Sequence, residues 1–222
     1  MISGDWQDKL TPGINGETIS LQLMDWASRK SWAFQLKRKS EIQDTVINLL
    51  NIIKTQLGHP VKTLFLDQGT NFTSRAISDY CKQEGIYLTF LPVDTKELMG
   101  RIERLHRTHL DDVRCMLAQS GLPLDWWPYA MDHSNYTRNY CPVAGLDKVP
   151  NHAWSGHAPE VSHLRAFGQV CWPKIPSKDI ANKFQPLATS AIFVGCDEQS
   201  RTYRCLDSIT NGLILAPYVK FH

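Results

Sequence analysis

The stretch Val61-Lys-Thr-Leu-Phe-Leu-Asp-Gln-Gly-Thr70 decides how this chain folds. Val61 to Leu66 is short and nearly continuously apolar, the pattern of a strand buried on both faces. Asp67 ends it, and Gly69 permits a turn directly afterwards. Working backwards, Ser40-Glu-Ile-Gln43 has capping-box form and predicts a helix start. Ile42, Val46, Leu49, Leu50, Ile53 and Leu57 then share one helical face, with Gly58 as the stop. Earlier still, Thr18 to Met24 and Trp32 to Leu36 alternate like two paired strands. Working forwards, Ser74 to Glu84 reads as a helix closed by Gly85, and Tyr87 to Leu91 as another buried strand. A polar loop, PVDTKELMG, precedes a helix from about Gly100 to Gln119. Its core face is Ile102, Leu105, His109, Val113 and Met116. A last helix spans about Asp125 to Tyr140. With a first strand around Asp5, the order is β-β-β-α-β-α-β-α-α, which predicts a mixed α/β core.

From about Pro150 the texture changes. Short apolar stretches such as GQVCWPKIP, AIFVGC and TYRCLDS are separated by Gly, Pro, Asn and Ser, which predicts a small all-β module.

The chain has 222 residues, 42% hydrophobic and 21% charged, enough to bury a core. Its net charge of +2 supplies no whole-chain attraction for nucleic acid, so such a partner must be argued from local patches. No apolar run is long enough for a membrane span. The six cysteines lie far apart without a C-x-x-C, which argues for a reducing, intracellular setting.

Three acids stand where an α/β core can gather them: Asp5 at the front of the first strand, Asp67 at a strand end, Glu103 one turn into a helix. Carboxylate-only ligands suit Mg²⁺ or Mn²⁺ rather than zinc. Two such ions can activate an attacking oxygen and stabilise a leaving one in phosphoryl transfer. Spacing alone is weak support. Chance supplies about 0.5 acid pair with the Asp67–Glu103 separation in a chain of this composition, and Asp5–Glu41 has the same separation. Asp67 could equally be a turn acid, and Glu103 a surface partner of Arg107.

The motifs around these acids are more specific. LFLDQGTNFTS (64–74) resembles the strand-Asp-x-Gly-Thr-x-Phe segment of retroviral and retrotransposon integrases. GRIERLHRTHL (100–110) is similar to the G-V-A-E-R-x-N-R-T-L segment of copia-type elements. GDWQDKLTPG (4–13) looks like their first-Asp motif, and MDWASRKSWAFQLKRKSE (24–41) resembles the strand pair that follows. PNHAWSGHAPEVSHLRAFGQVCW (150–172) resembles their P-x-x-x-W-x-G-x-x-P-x-x-x-H-L-R-x-F-G stretch.

The resemblance implies an RNase H-like mixed-sheet core over 1–147 and a small β-barrel-like module over 148–222. It implies metal-dependent 3′-end processing and strand transfer that insert element cDNA into target DNA, within the nucleus. Asp5, Asp67 and Glu103 would be the catalytic acids and would hold Mg²⁺ or Mn²⁺. DNA is the implied partner, with RNA as a second, and a homo-oligomer the implied assembly. Two departures stand out. The family's T-P-Q-Q-N-G loop is Thr95-Lys-Glu-Leu-Met-Gly100 here, and its Asn three residues after the Glu is His106. With only four residues before Asp5, these departures suggest a fragment or a decayed copy that only binds nucleic acid. A generic RNase H-like nuclease is a third reading.

Basic residues mark two candidate phosphate contacts. Lys37, Arg38 and Lys39 close a basic run that starts at Arg29, and could instead be a solvated hairpin edge. Arg104 and Arg107 line the helix of Glu103. His106 and His109 could bind a metal but read better as packed side chains. Trp126 and Trp127 read as core rather than base-stacking platforms, and Asp25 is the fallback for the first acid.

Overall fold

The computed structural model describes residues 1–58, 60–66, 75–90, 96–197, 200–210 and 212–221. The first half is a five-stranded mixed sheet. Strands β1 (Ile2–Gln7), β2 (Ile19–Asp25) and β3 (Ser31–Leu36) form an antiparallel meander. Helix α1 (Glu41–Leu57) crosses to β4 (Thr63–Leu66), which pairs parallel to β1. Helix α2 (Arg75–Glu84) then leads to β5 (Tyr87–Phe90), parallel to β4. The order is β3-β2-β1-β4-β5, so β1 is central.

Alternation sorts the two faces of the sheet. Ile19, Leu21 and Leu23 of β2 join Leu64 and Leu66 against Ile42, Val46, Leu50 and Ile53 of α1 and Ile77 of α2. The other face of β2 carries Gln22, whose Nε2 meets Met131 Sδ at 3.5 Å. This second face is covered by α3 (Lys96–Ser120) and α4 (Trp127–Arg138), the latter entered through a 3₁₀ turn at Leu124–Trp126.

Asn139, just past α4, fastens that layer to the edge strand β3. Its side-chain amide accepts from Ser31 N at 2.9 Å and donates to Ser31 O at 2.9 Å, as a neighbouring strand would. Between α3 and α4, His109 Nδ1 lies 2.6 Å from Ser134 Oγ, which donates to Asp112 Oδ2 at 2.7 Å.

Helix α5 (Pro150–Ser155) opens the second half, inside the stretch read as β. Its Trp154 packs edge-on against Trp32 of β3, ring centroids 5.1 Å apart. Five antiparallel strands follow: β6 (Val170–Pro173), β7 (Ala191–Asp197), β8 (Thr202–Asp207), β9 (Leu213–Ala216) and β10 (Val219–Phe221). Their order is β10-β6-β7-β8-β9, with β10 and β9 at the two ends. The fold class is therefore the expected α/β core plus a β sheet module.

The halves share a core. Val113 and Leu117 of α3 and Trp126, Trp127 and Met131 around α4 pack with Phe167, Val194 and Leu206 of the second half. Arg204 of β8 bonds Asp132 of α4 at 3.1 Å and Asp197 of β7 at 2.8 Å. Trp126 and Trp127 are each 7% exposed, and Trp127 Nε1 donates to Thr11 O. Both are core residues, as read.

Two local expectations are corrected. The capping box does not form. Ser40 has helical backbone angles and makes no side-chain cap bond, whereas a cap requires extended ones. Glu41 takes that place, accepting from Lys37 N at 3.1 Å. The polar loop before the long helix is also shorter than read, because α3 already begins at Lys96. Lys96, Glu97, Leu98 and Met99 are strong helix formers, and no proline interrupts them.

His133 of α4 is buried between Phe167 and Phe193. Burial pushes its pKa down to about 4 from the ordinary 6.5, against the Arg165 carbonyl, which favours the charged form. A folded-state pKa below the unfolded one gives stability that is present above pH 6.5 and lost as pH falls towards 4. Replacing His133 with Leu is expected to shrink the fall in unfolding free energy between about pH 7 and about pH 5 by about 2 kcal/mol. Urea titrations of both proteins at the two pH values measure this difference.

Candidate metal and nucleic-acid site

Asp5 sits in the central strand β1 rather than at its front, because the strand begins at Ile2. Its side chain is 20% exposed, and Oδ1 accepts the Trp6 backbone N–H at 2.7 Å. Oδ2 lies 3.5 Å from His106 Nε2 of α3. His106 is one helical turn beyond Glu103, so the Glu103 turn of α3 faces the Asp5 position on the sheet. Glu103 itself is exposed.

The β1–β4 register pairs Gly4 with Leu66, the residues that precede Asp5 and Asp67 in the chain. Asp67 lies outside the described residues, as does most of the 64–74 motif. His106, three residues after Glu103, is the α3 side chain that meets Asp5. Among the described residues no group of three or more His, Cys, Asp or Glu side chains is close enough to share a metal ion.

His106 is 2% exposed, and burial pushes its pKa down to about 4. The imidazole is therefore neutral near neutral pH, and its approach to Asp5 is a polar contact rather than an ion pair. His109 turns to Ser134 instead, and burial pushes it down to about 3. The two histidines serve separate partners. Asp25, the fallback acid, is held by a turn. Its Oδ2 accepts both Ser28 N and Ser28 Oγ at 2.8 Å.

The basic run divides in space. Lys30 is 8% exposed, and its Nζ donates to Asn151 Oδ1 at 2.7 Å. Lys37, Arg38 and Lys39 are exposed. Arg38 pairs with Glu41 at 3.3 Å. Lys39 pairs with Asp8 at 2.7 Å and lies over the Trp6 ring at 4.4 Å. On α3, Arg104 and Arg107 are both exposed. Arg104 shares its side of the helix with Arg101, whereas Arg107 shares that of Glu103.

The oxygen donors of Asp5 and Glu103 suit a hard cation such as Mg²⁺ or Mn²⁺ better than a soft one. The missing signal at sequence level is the His106–Asp5 contact. Nothing in the helical pattern tells which buried histidine meets the sheet carboxylate.

Comparison with known proteins gives the ancestry. Residues 169–222 match the model of the retroviral polymerase SH3-like domain. The chain is 28% identical over 209 residues to the Retrovirus-related Pol polyprotein from transposon TNT 1-94 of Nicotiana tabacum, covering 94% of this chain and 16% of that protein. It is 28% identical over 199 residues to the Pol polyprotein from transposon RE1 of Arabidopsis thaliana, covering 89% of this chain and 13% of that protein. A truncated transposon Ty1-A Gag-Pol polyprotein of Saccharomyces cerevisiae matches over 151 residues, also at 28% identity. The chain thus spans under a fifth of the TNT 1-94 and RE1 polyproteins. In fold it is similar to a chain in a cryo-EM structure of the simian T-cell lymphotropic virus intasome in complex with PP2A regulatory subunit B56 gamma. The TM-score is 0.56 at 16% identity, over 99% of this chain and 77% of that one. No helix among the described residues is long and apolar enough to cross a membrane.

Proposed function

Its homologues being copia-type retrotransposon Pol polyproteins, we propose that this chain is an integrase catalytic region that joins element DNA ends to target DNA. The observation that carries the reading is the approach of the Glu103 turn of α3 to Asp5 on the central strand, with the chain entering Asp67 from the strand beside it. Asp5, Asp67 and Glu103 would hold one or two divalent cations, Mg²⁺ or Mn²⁺. When bound, such ions supply charge that favours a hydroxyl or water as nucleophile and stabilises the departing oxygen of a phosphodiester.

The chain's own residues prepare that place. The Trp6 N–H fixes the Asp5 carboxylate through Oδ1. Neutral His106 crowds Oδ2 without adding positive charge, so the Asp5 charge stays directed at a cation. Arg107, exposed on the Glu103 side of α3, would meet a DNA phosphate, and Lys37, Arg38 and Lys39 would offer a second basic edge. The intasome likeness supports a DNA complex built from several copies.

A second reading is a remnant that binds nucleic acid without turnover. The observation in its favour is the helix that starts at Lys96, where relatives of this kind are expected to carry a Pro- and amide-containing loop.

The test is strand transfer of a labelled donor end into plasmid with Mg²⁺ or Mn²⁺, comparing wild type with Asp67→Asn. The proposal expects joined product from wild type and almost none from the variant. Equal product from both, or none from wild type while DNA is still bound, selects against it.

A further inference from the structure

On another side of α3 lies a groove of about 470 Å³, bounded by the β2–β3 turn and the segment after α4. Four arginines line it: Arg29 from the turn, Arg101 and Arg104 from α3, and Arg138 from the last turn of α4. Met24 and Leu105 add apolar surface, Val143 to Gly145 border it, and among the described residues no acidic side chain lines it. Arg101, Arg104, Leu105 and Thr108 are spaced i, i+3, i+4 and i+7, and so project together. Glu103 and His106 leave the helix from the roughly opposite side, at about 100° per residue. The groove is therefore separate from the acids.

The guanidinium groups are held in place and only partly compensated. Arg29 has a left-handed backbone, φ 61°, in a turn pinned by Arg29 N donating to Asp25 O at 2.9 Å. One of its terminal nitrogens is buried without a hydrogen-bond partner. Arg101 stacks over the Trp26 ring at 4.7 Å. Among the described residues, Arg29, Arg101 and Arg104 form no ion pair, while Arg138 reaches Asp112 at 3.4 Å. Burial, then the nearby charges of Arg101 and Arg104, hold the Arg29 pKa below its usual value despite Asp25. Gathering four like charges with only Asp25 and Asp112 nearby to offset them costs free energy that an anion would recover. A planar guanidinium fork matches the paired oxygens of a phosphate.

We propose that the groove of Arg29, Arg101, Arg104 and Arg138 binds a phosphodiester of a nucleic-acid strand, forming a second phosphate site beyond the acids. The inference rests on the reading that this chain works on DNA. It places one strand over the side of α3 that faces away from Asp5.

The test is fluorescence anisotropy of a labelled DNA duplex over a salt series. Proteins compared are wild type, the double variant Arg29→Ala/Arg101→Ala, Thr108→Glu, and Asp67→Asn. The double variant is expected to bind about tenfold more weakly, with a salt slope shallower by about 2. Thr108→Glu, which adds an acid to the wall in place of a hydroxyl that donates to Arg104 O at 2.8 Å, should weaken binding in the same direction. It carries the test if the double variant melts early. Unchanged affinity and slope in both groove variants would overturn the site, even if Asp67→Asn loses strand transfer. Loss of binding in the groove variants with no strand transfer by wild type would keep the site and reject the integrase reading. Inorganic tripolyphosphate provides the last arm. If it raises the melting temperature of wild type but not of the double variant, while duplex binding is equal in all proteins, the groove takes a free polyphosphate and the strand assignment falls.

Discussion

Replacing Glu103 with Gln is expected to lower metal-dependent strand transfer about 10³-fold or more while leaving the melting temperature unchanged. Glu103 is exposed on α3 and makes no hydrogen bond or ion pair among the described residues. An exposed carboxylate of this kind contributes little to folding, about 0.5 kcal/mol at most in either direction. Its neutral isostere keeps the helix propensity and the shape. Any large loss of turnover then reports a lost charge at the reacting phosphate rather than a lost fold. The measurement is single-turnover joining with Mg²⁺, alongside thermal unfolding of both proteins. Wild-type rates from Glu103→Gln would remove Glu103 from the chemistry. A parallel drop in melting temperature would reassign it to structure.

Replacing Gly168 with Ala is expected to cost about 3 kcal/mol or more of stability. Two independent terms act there. Gly168 has φ +80°, a conformation that costs an L-residue about 1–2 kcal/mol. A Cβ at this position would also stand 2.2 Å from Ser120 Cβ and 3.0 Å from Ser120 Cα, at the C-terminal end of α3. Room cannot be made by moving the loop, because Gly168 N donates to Phe193 O and Phe193 N to Gln169 O, both at 2.8 Å. Denaturant titration measures the loss. Ser120→Gly in the Gly168→Ala background should return part of it by relieving the side-chain term while the backbone term persists. No rescue would mean that the backbone term alone dominates.

The sequence carries most of the architecture because period and punctuation agree there. Ile42, Val46, Leu50 and Ile53 are buried as their spacing predicts, and Gly58 closes α1 with a left-handed backbone. The alternation of Ile19, Leu21 and Leu23 predicts a strand face and delivers one. What is lost concerns competition between local signals. Ser40 has a cap residue's chemistry but a helix interior's angles, and only the approach of the chain to α1 decides between them. Lys96 to Met99 are polar enough to read as loop and helix-prone enough to extend α3.

The candidate site is legible only in part. Asp5 and Glu103 could be named from motifs, but a one-dimensional pattern holds no distance between them. The contact of His106 with Asp5 supplies that link. The arginine groove was illegible for the same reason. Arg29, Arg101, Arg104 and Arg138 come from three elements. The basic residues between 29 and 39 are split by strand β3, which has Arg29 and Lys30 at one end and Lys37, Arg38 and Lys39 at the other.

The aromatic and aliphatic side chains that α3 and α4 give to both sheets have a further consequence. Neither half can melt without baring surface that the other half had covered, so the free-energy cost of opening one is charged to both. Heating should therefore unravel the molecule in a single cooperative step. The place where the chain's composition changes, near Pro150, is therefore no seam in stability.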